Sequence, residues 1–238
     1  MIDKIISSVN EFFSSATFNP KVFVYNTKEE TYYNEANLQH ELALYLKQKF
    51  QDIIELRLEY PVNKLLKIGK TKLSKKEIDI IIKFKNEEQK ANEFLIIELK
   101  FPKYNAGMPK TLLHALNDIQ FCEQIKELSN DLNIKLHFVT IFLTDKTKWT
   151  KAEHIYKVFK LGKDITQVQF TLPKKIEFRN SIDTLRIGVE EIKNRISPSN
   201  GNLDPENWVA EDEIRLKYEH EIKWKRINSK WLYYICKF

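Results

Sequence analysis

Two apolar runs on either side of a short polar stretch constrain this chain more than any other feature. They are KKEIDIIIKF, ending at Phe84, and EFLIIELKF, from Glu93 to Phe101, with KNEEQKAN between them. Branched and aromatic side chains at this density favour strands, and each run is too short for a buried helix. An antiparallel hairpin turning around NEEQK sets Asp79 opposite Glu98 and Glu77 opposite Lys100. Side chains alternate along a strand, so one face reads Ile78, Ile80, Ile82 and Phe84 against Leu95, Ile97, Leu99 and Phe101. The other face carries Ile81, Phe94 and Ile96 near the turn, and Glu77, Asp79, Glu98 and Lys100 at the far end.

Both faces are therefore largely apolar, and the charged end lies in a partly desolvated place. Unpaired carboxylates are costly there and need compensation. One compensation is an ion-pair cluster in which Lys100 neutralises Glu77 or Glu98 at a solvated strand end. That leaves three carboxylates against one ammonium, an excess suited to a divalent cation held by hard oxygen ligands.

Around this hairpin the expected order is helix, three strands, helix, strand. NEANLQHELALYLKQKF spaces Leu38, Leu42, Tyr45 and Leu46 as one helical face, with Asn34 as its cap. IIELRLEYPV is a first strand before the two runs. KTLLHALNDIQFCEQIKEL repeats Leu112, Leu116, Ile119 and Cys122 at helical period, and IKLHFVTIFL is a further strand. Upstream, residues 1–20 form a short amphipathic helix and KVFVY a strand. Downstream, a helix starts at Thr150 through a Thr-to-Glu153 capping box, residues 166–178 form one or two strands, and SIDTLRIGVEEIKNRI forms a helix. SPSNGNLDPEN is a loop, and HEIKWKR with KWLYYICKF forms a terminal hairpin. The expected division is 1–33 as an N-terminal helix and strand, 34–160 as the core, and 161–238 as C-terminal elements packed on it.

An Asp on one strand and Glu-Leu-Lys on the next, in this order of elements, resembles the PD-(D/E)XK nuclease superfamily over roughly residues 34–143. The chain departs from the family in having Ile78 where Pro often precedes the Asp. The resemblance implies an α/β fold with a restriction-endonuclease-like αβββαβ core, a mixed central sheet flanked by helices, and extra C-terminal strands and a helix. It implies metal-dependent hydrolysis of DNA phosphodiesters, in restriction, phage defence or repair. Asp79 and Glu98 would hold Mg²⁺, for which Mn²⁺ can substitute, with the Leu99 carbonyl and waters, and Lys100 would orient water or stabilise charge. Glu41, on the first core helix, matches the family's helix glutamate, with a place among the catalytic and metal-binding groups. Gln120 matches the glutamine that some members carry on the next helix, although the chain departs from their Q-x-x-x-Y form in having Gln124 where the Tyr would stand.

The charge balance, 39 Lys and Arg against 33 Asp and Glu, suits a polyanion, although abundant Lys, Asn and Ile also suggest a chain-wide bias. DNA is the expected partner, with RNA left open, and a homodimer is one way to cut both strands. In the tail, Trp224, Trp231, Tyr233 and Tyr234 interleave with Lys223, Lys225, Arg226 and Lys230, a mixture suited to nucleic acid. The competing reading makes those aromatics the hairpin's core. Cys122 and Cys236 lack a disulfide or zinc pattern, and no signal peptide or membrane span is visible, so a cytoplasmic protein is expected. A non-catalytic nucleic-acid-binding module on the same fold is the alternative function.

Overall fold

The computed structural model describes residues 2–15, 18–19, 24–26, 31–68, 76–84, 92–101, 108–145, 169–172, 174–177, 213–228 and 231–238. The expected helices at Thr150 and in SIDTLRIGVEEIKNRI, the loop SPSNGNLDPEN and Lys230 lie outside the described residues.

The chain opens with α1 (Ile2–Ser14), whose Ile2, Ile5, Val9 and Phe13 recur at helical spacing and are buried. Two short strands, β1 (Val24–Asn26) and β2 (Thr31–Tyr33), pair with each other. Asn34 then caps α2 (Glu35–Lys49) by accepting a 2.9 Å hydrogen bond from the Asn37 N–H, satisfying one of the donors a helix start leaves open. The core continues with β3 (Ile53–Pro61), a single turn α3 (Val62–Leu66), β4 (Glu77–Phe84), β5 (Asn92–Lys100), α4 (Met108–Leu128) and β6 (Ile134–Asp145). The remaining strands are β7 (Gln169–Leu172), β8 (Lys175–Glu177), β9 (Glu213–Arg215), β10 (His220–Arg226) and β11 (Trp231–Lys237).

Seven strands form one mixed sheet in the order β3-β4-β5-β6-β11-β10-β7. Among the described strands only β5 and β6 pair in parallel, and α4 is the crossover that a parallel pair requires. The β4–β5 hairpin has the expected register, from Ile80 opposite Ile97 to Phe84 opposite Glu93. On one face, Ile80, Ile82, Leu95, Ile97 and Leu99 pack with α1 and α2; on the other, Ile81, Ile96 and Phe138 pack with α3 and α4. The protein is thus mixed α/β with helices on both faces of its sheet.

Ile78 departs from the expected alternation by joining the cluster under α3 and α4. The break falls at Asp79. Across β3–β4 the ladder pairs Leu58 with Ile80 and Tyr60 with Ile78, and between them Glu59 has a left-handed φ of 48°. A non-glycine residue in that region turns the strand locally. β11 pairs along β6 from Trp231 opposite Asp145 to Lys237 opposite Val139, so the tail completes the central sheet itself. Trp224, Trp231, Tyr233 and Tyr234 are all buried, which decides for the hairpin-core reading of these aromatics.

Candidate active site

The hairpin register delivers Asp79 and Glu98 to each other, and the strand turn at Asp79 sets how they meet. The Leu99 N–H donates to Asp79 Oδ2 at 2.6 Å, and the Asp79 N–H donates to Glu98 Oε1 at 3.4 Å. Each carboxylate thus accepts from the neighbouring strand's backbone just beyond the last ladder pair, Ile80 with Ile97. Two further groups hold this end in place. Gln39, buried on α2, donates through Nε2 to Glu59 Oε1 at 2.9 Å and to the Asp79 carbonyl. The left-handed Glu59 is therefore tied to the same amide that fixes the Asp79 backbone.

Lys100 does not neutralise Glu77 or Glu98 as its ion-pair partner. Its Nζ lies 3.4 Å from Glu35 Oε1 and 3.6 Å from Asp118 Oδ2, and Glu77 is exposed at the start of β4. Glu35 also accepts from the Phe101 N–H at 2.6 Å, so the first turn of α2 grips the end of β5. Glu41, to which the resemblance gives a place among the catalytic and metal-binding groups, has an exposed side chain. At roughly 100° per residue, Glu35 stands in line with Leu38, Leu42 and Leu46, whereas Glu41 is turned about 120° from it. That stripe was the signal for Glu35, and the first-turn position obscured it.

Burial dominates the electrostatics. It raises Asp79 from 3.8 to about 7, against the opposing pull of the Leu99 N–H and Lys100. It raises Glu98 well above the ordinary range, with Asp79 and then Asp118 adding repulsion. Asp118 is raised to about 6 by burial, opposed first by Lys100. Burial also pulls Lys100 down, but Asp118, Glu35, Asp79 and Glu98 together outweigh it and hold the ammonium charged above its usual range. Lys76, at the start of this segment, is lowered by burial while Asp118 and Glu98 oppose that. Four carboxylates therefore share two ammonium groups. The Lys100 and Asp118 side chains retain 22% and 21% of their surface exposed, so the centre is reachable from solvent.

The oxygen donors suit a hard divalent cation, and two raised carboxylates side by side gain from one because it removes the reason for their protonation. Among the described residues no three His, Cys, Asp or Glu side chains form a metal-holding group. Asp79 and Glu98 are thus the two carboxylates that the hairpin would offer a cation, and Mg²⁺ tolerates so few because it keeps water in its shell.

No family model, curated protein or solved structure matches the chain. What the site can do rests on its own geometry.

Gln120 is half-buried on α4, two residues beyond Asp118. Lys223 and Arg226 are exposed on β10, and Lys225 donates to Asn10 Oδ1 of α1. Glu35, Gln39, Glu59 and Asp118 were missed by the sequence reading. Glu35 and Gln39 follow the α2 stripe, while Glu59 and Asp118 give no local signal, since only the sheet and the α4 crossover bring them here.

Among the described residues no helix is long and apolar enough to cross a membrane.

Proposed function

We propose that this protein is a metal-dependent endonuclease hydrolysing DNA phosphodiester bonds, with Asp79, Glu98 and Lys100 at its reacting centre. The observation that carries the reading is the meeting of two pKa-raised carboxylates, joined through each other's strand backbones, beside a lysine held in its charged form. Perturbed titratable groups gathered at a solvent-reachable place are a hallmark of functional sites. The order α2, β3, β4, β5, α4, β6 around them, with the single turn α3 inserted between β3 and β4, supports the resemblance to the restriction-endonuclease-like core, and the site sits at the carboxyl end of β5, where an α/β sheet commonly receives ligands.

Asp79 and Glu98 would hold Mg²⁺ or Mn²⁺ together with the Leu99 carbonyl. When bound, the ion supplies Lewis-acid polarisation of the phosphate and a water of lowered pKa. The protein's own residues do the rest. Lys100 presents a permanent positive charge to the oxygens on which negative charge develops. Glu35 and Asp118 orient that ammonium, and the Gln39–Glu59 link fixes the backbone from which Asp79 projects. Glu35 takes the helix-glutamate place that the sequence resemblance gave to Glu41.

The test is cleavage of supercoiled plasmid, linear duplex, single strands and RNA with Mg²⁺, Mn²⁺ or chelator, comparing wild type with Asp79→Ala and Lys100→Ala. Metal-dependent cutting of DNA, lost in both variants, is expected. Binding without cutting, unchanged by either substitution, refutes catalysis and leaves a nucleic-acid-binding module.

A further inference from the structure

We infer that the exposed side of α3, presented by Lys64 and Lys67 with the half-buried Lys76 next to it, is the surface along which the phosphate backbone of duplex DNA reaches the Asp79–Glu98–Lys100 centre. The inference rests on the proposed nuclease function and names a different grip from the terminal hairpin.

The hairpin is poorly suited to that task. Its aromatic rings are buried and offer no stacking surface, and Lys225 is already engaged with Asn10. In the sheet, β10 lies four strand spacings from β4, roughly 19 Å away.

The β3–β4 connection begins beside the centre. Pro61 pairs with Glu77, and the Val62 N–H donates to the Lys76 carbonyl at 3.0 Å, so α3 starts against the strand that carries Asp79. Val62, Leu65 and Leu66 anchor α3 in the cluster that includes Phe121, Cys122 and Ile125 of α4. That anchorage leaves Lys64 and Lys67 exposed on a fixed support. Lys76 lies with its Nζ 4.7 Å from the centre of the Phe121 ring and interacts electrostatically with Asp118 and Glu98, linking the lysines of α3 to the centre.

The chemistry of the stretch selects the ligand. The described residues of this connection, 62–68 and 76, include three lysines, no carboxylate and no aromatic ring. Positive charge without rings recognises phosphates and not unstacked bases, which favours a duplex over a single strand.

The experiment is a fluorescence-anisotropy titration of the full chain against a random-sequence duplex in chelator, over a range of salt concentrations. Lys64→Gln/Lys67→Gln is compared with wild type and with Lys223→Gln/Arg226→Gln; all four positions are exposed, and thermal unfolding checks that each variant folds. Loss of two phosphate contacts lowers the slope of log affinity against log salt by about 1.8. That loss is expected in the α3 variant, with the β10 variant like wild type. An unchanged slope in the α3 variant, a loss confined to the β10 variant, or tighter binding of single strands or RNA than of duplex overturns the inference. Metal-dependent cleavage that is insensitive to the α3 substitutions refutes this surface while the nuclease reading stands. Duplex binding that depends on Lys64 and Lys67 without cleavage under any metal refutes the nuclease reading while the surface stands.

Discussion

Replacing Asp79 by Asn should stabilise the metal-free protein increasingly as pH rises. Asp79 titrates near 3.8 when unfolded and near 7 in the fold, where burial opposes its ionisation. The native state therefore keeps a proton that the unfolded chain has released. The associated stability is full below about pH 4 and is lost as pH rises through about 7. At about 1.36 kcal/mol per unit, the displacement corresponds to ~4 kcal/mol for an isolated group. Partial exposure of the carboxyl reduces the working figure to ~2 kcal/mol. For a chain of this size that is a Tm difference of about 4–8 °C. Asp79→Asn keeps an oxygen to accept from the Leu99 N–H but cannot ionise. In chelator, the Tm of the variant minus that of wild type should grow by about three-fifths of this amount, roughly 2–5 °C, between pH 5 and 8.5, the rest having accrued below pH 5. Mg²⁺ should raise the wild-type Tm more at the alkaline end, since it binds the ionised pair. A difference that stays constant with pH refutes the burial argument.

Three other outcomes test the surrounding groups. Glu35→Gln should lower kcat at least tenfold by releasing Lys100 and should destabilise by about 1.5–3 kcal/mol through its charge-assisted bonds, whereas Glu41→Gln, on an exposed position, should leave both cleavage and the urea midpoint unchanged. Gln39→Leu should cost about 1–3 kcal/mol in urea unfolding, because Glu59 and the Asp79 carbonyl lose a buried donor; cleavage should fall further than stability alone accounts for at a temperature where the variant is fully folded. Glu123→Leu should destabilise by roughly 3–5 kcal/mol, read by chemical denaturation, since Glu123 accepts from the Lys217 and Tyr218 N–H groups and pairs with buried His220 at 2.7 Å.

The sequence by itself determined the parts whose cause is local. Apolar runs with period two specified β4 and β5 and their register over Ile80–Phe84, because a one-residue slip would expose a whole apolar face. The Leu38–Leu42–Leu46 spacing and the Asn34 cap specified α2 in the same way. Those elements bring Asp79 and Glu98 to one end of one hairpin. Tertiary structure decided which charges meet there. Lys100 is closer to Glu35 and Asp118 than to its hairpin neighbours because α2 and α4 close over opposite faces of the sheet, a long-range outcome that no window of sequence contains. The turn at Glu59 required pairing with β4 to become visible. The tail's aromatics, equally suited by pattern to a binding surface or a core, became core because β11 had the open edge of β6 to complete, and unpaired backbone at a sheet edge is satisfied by another strand.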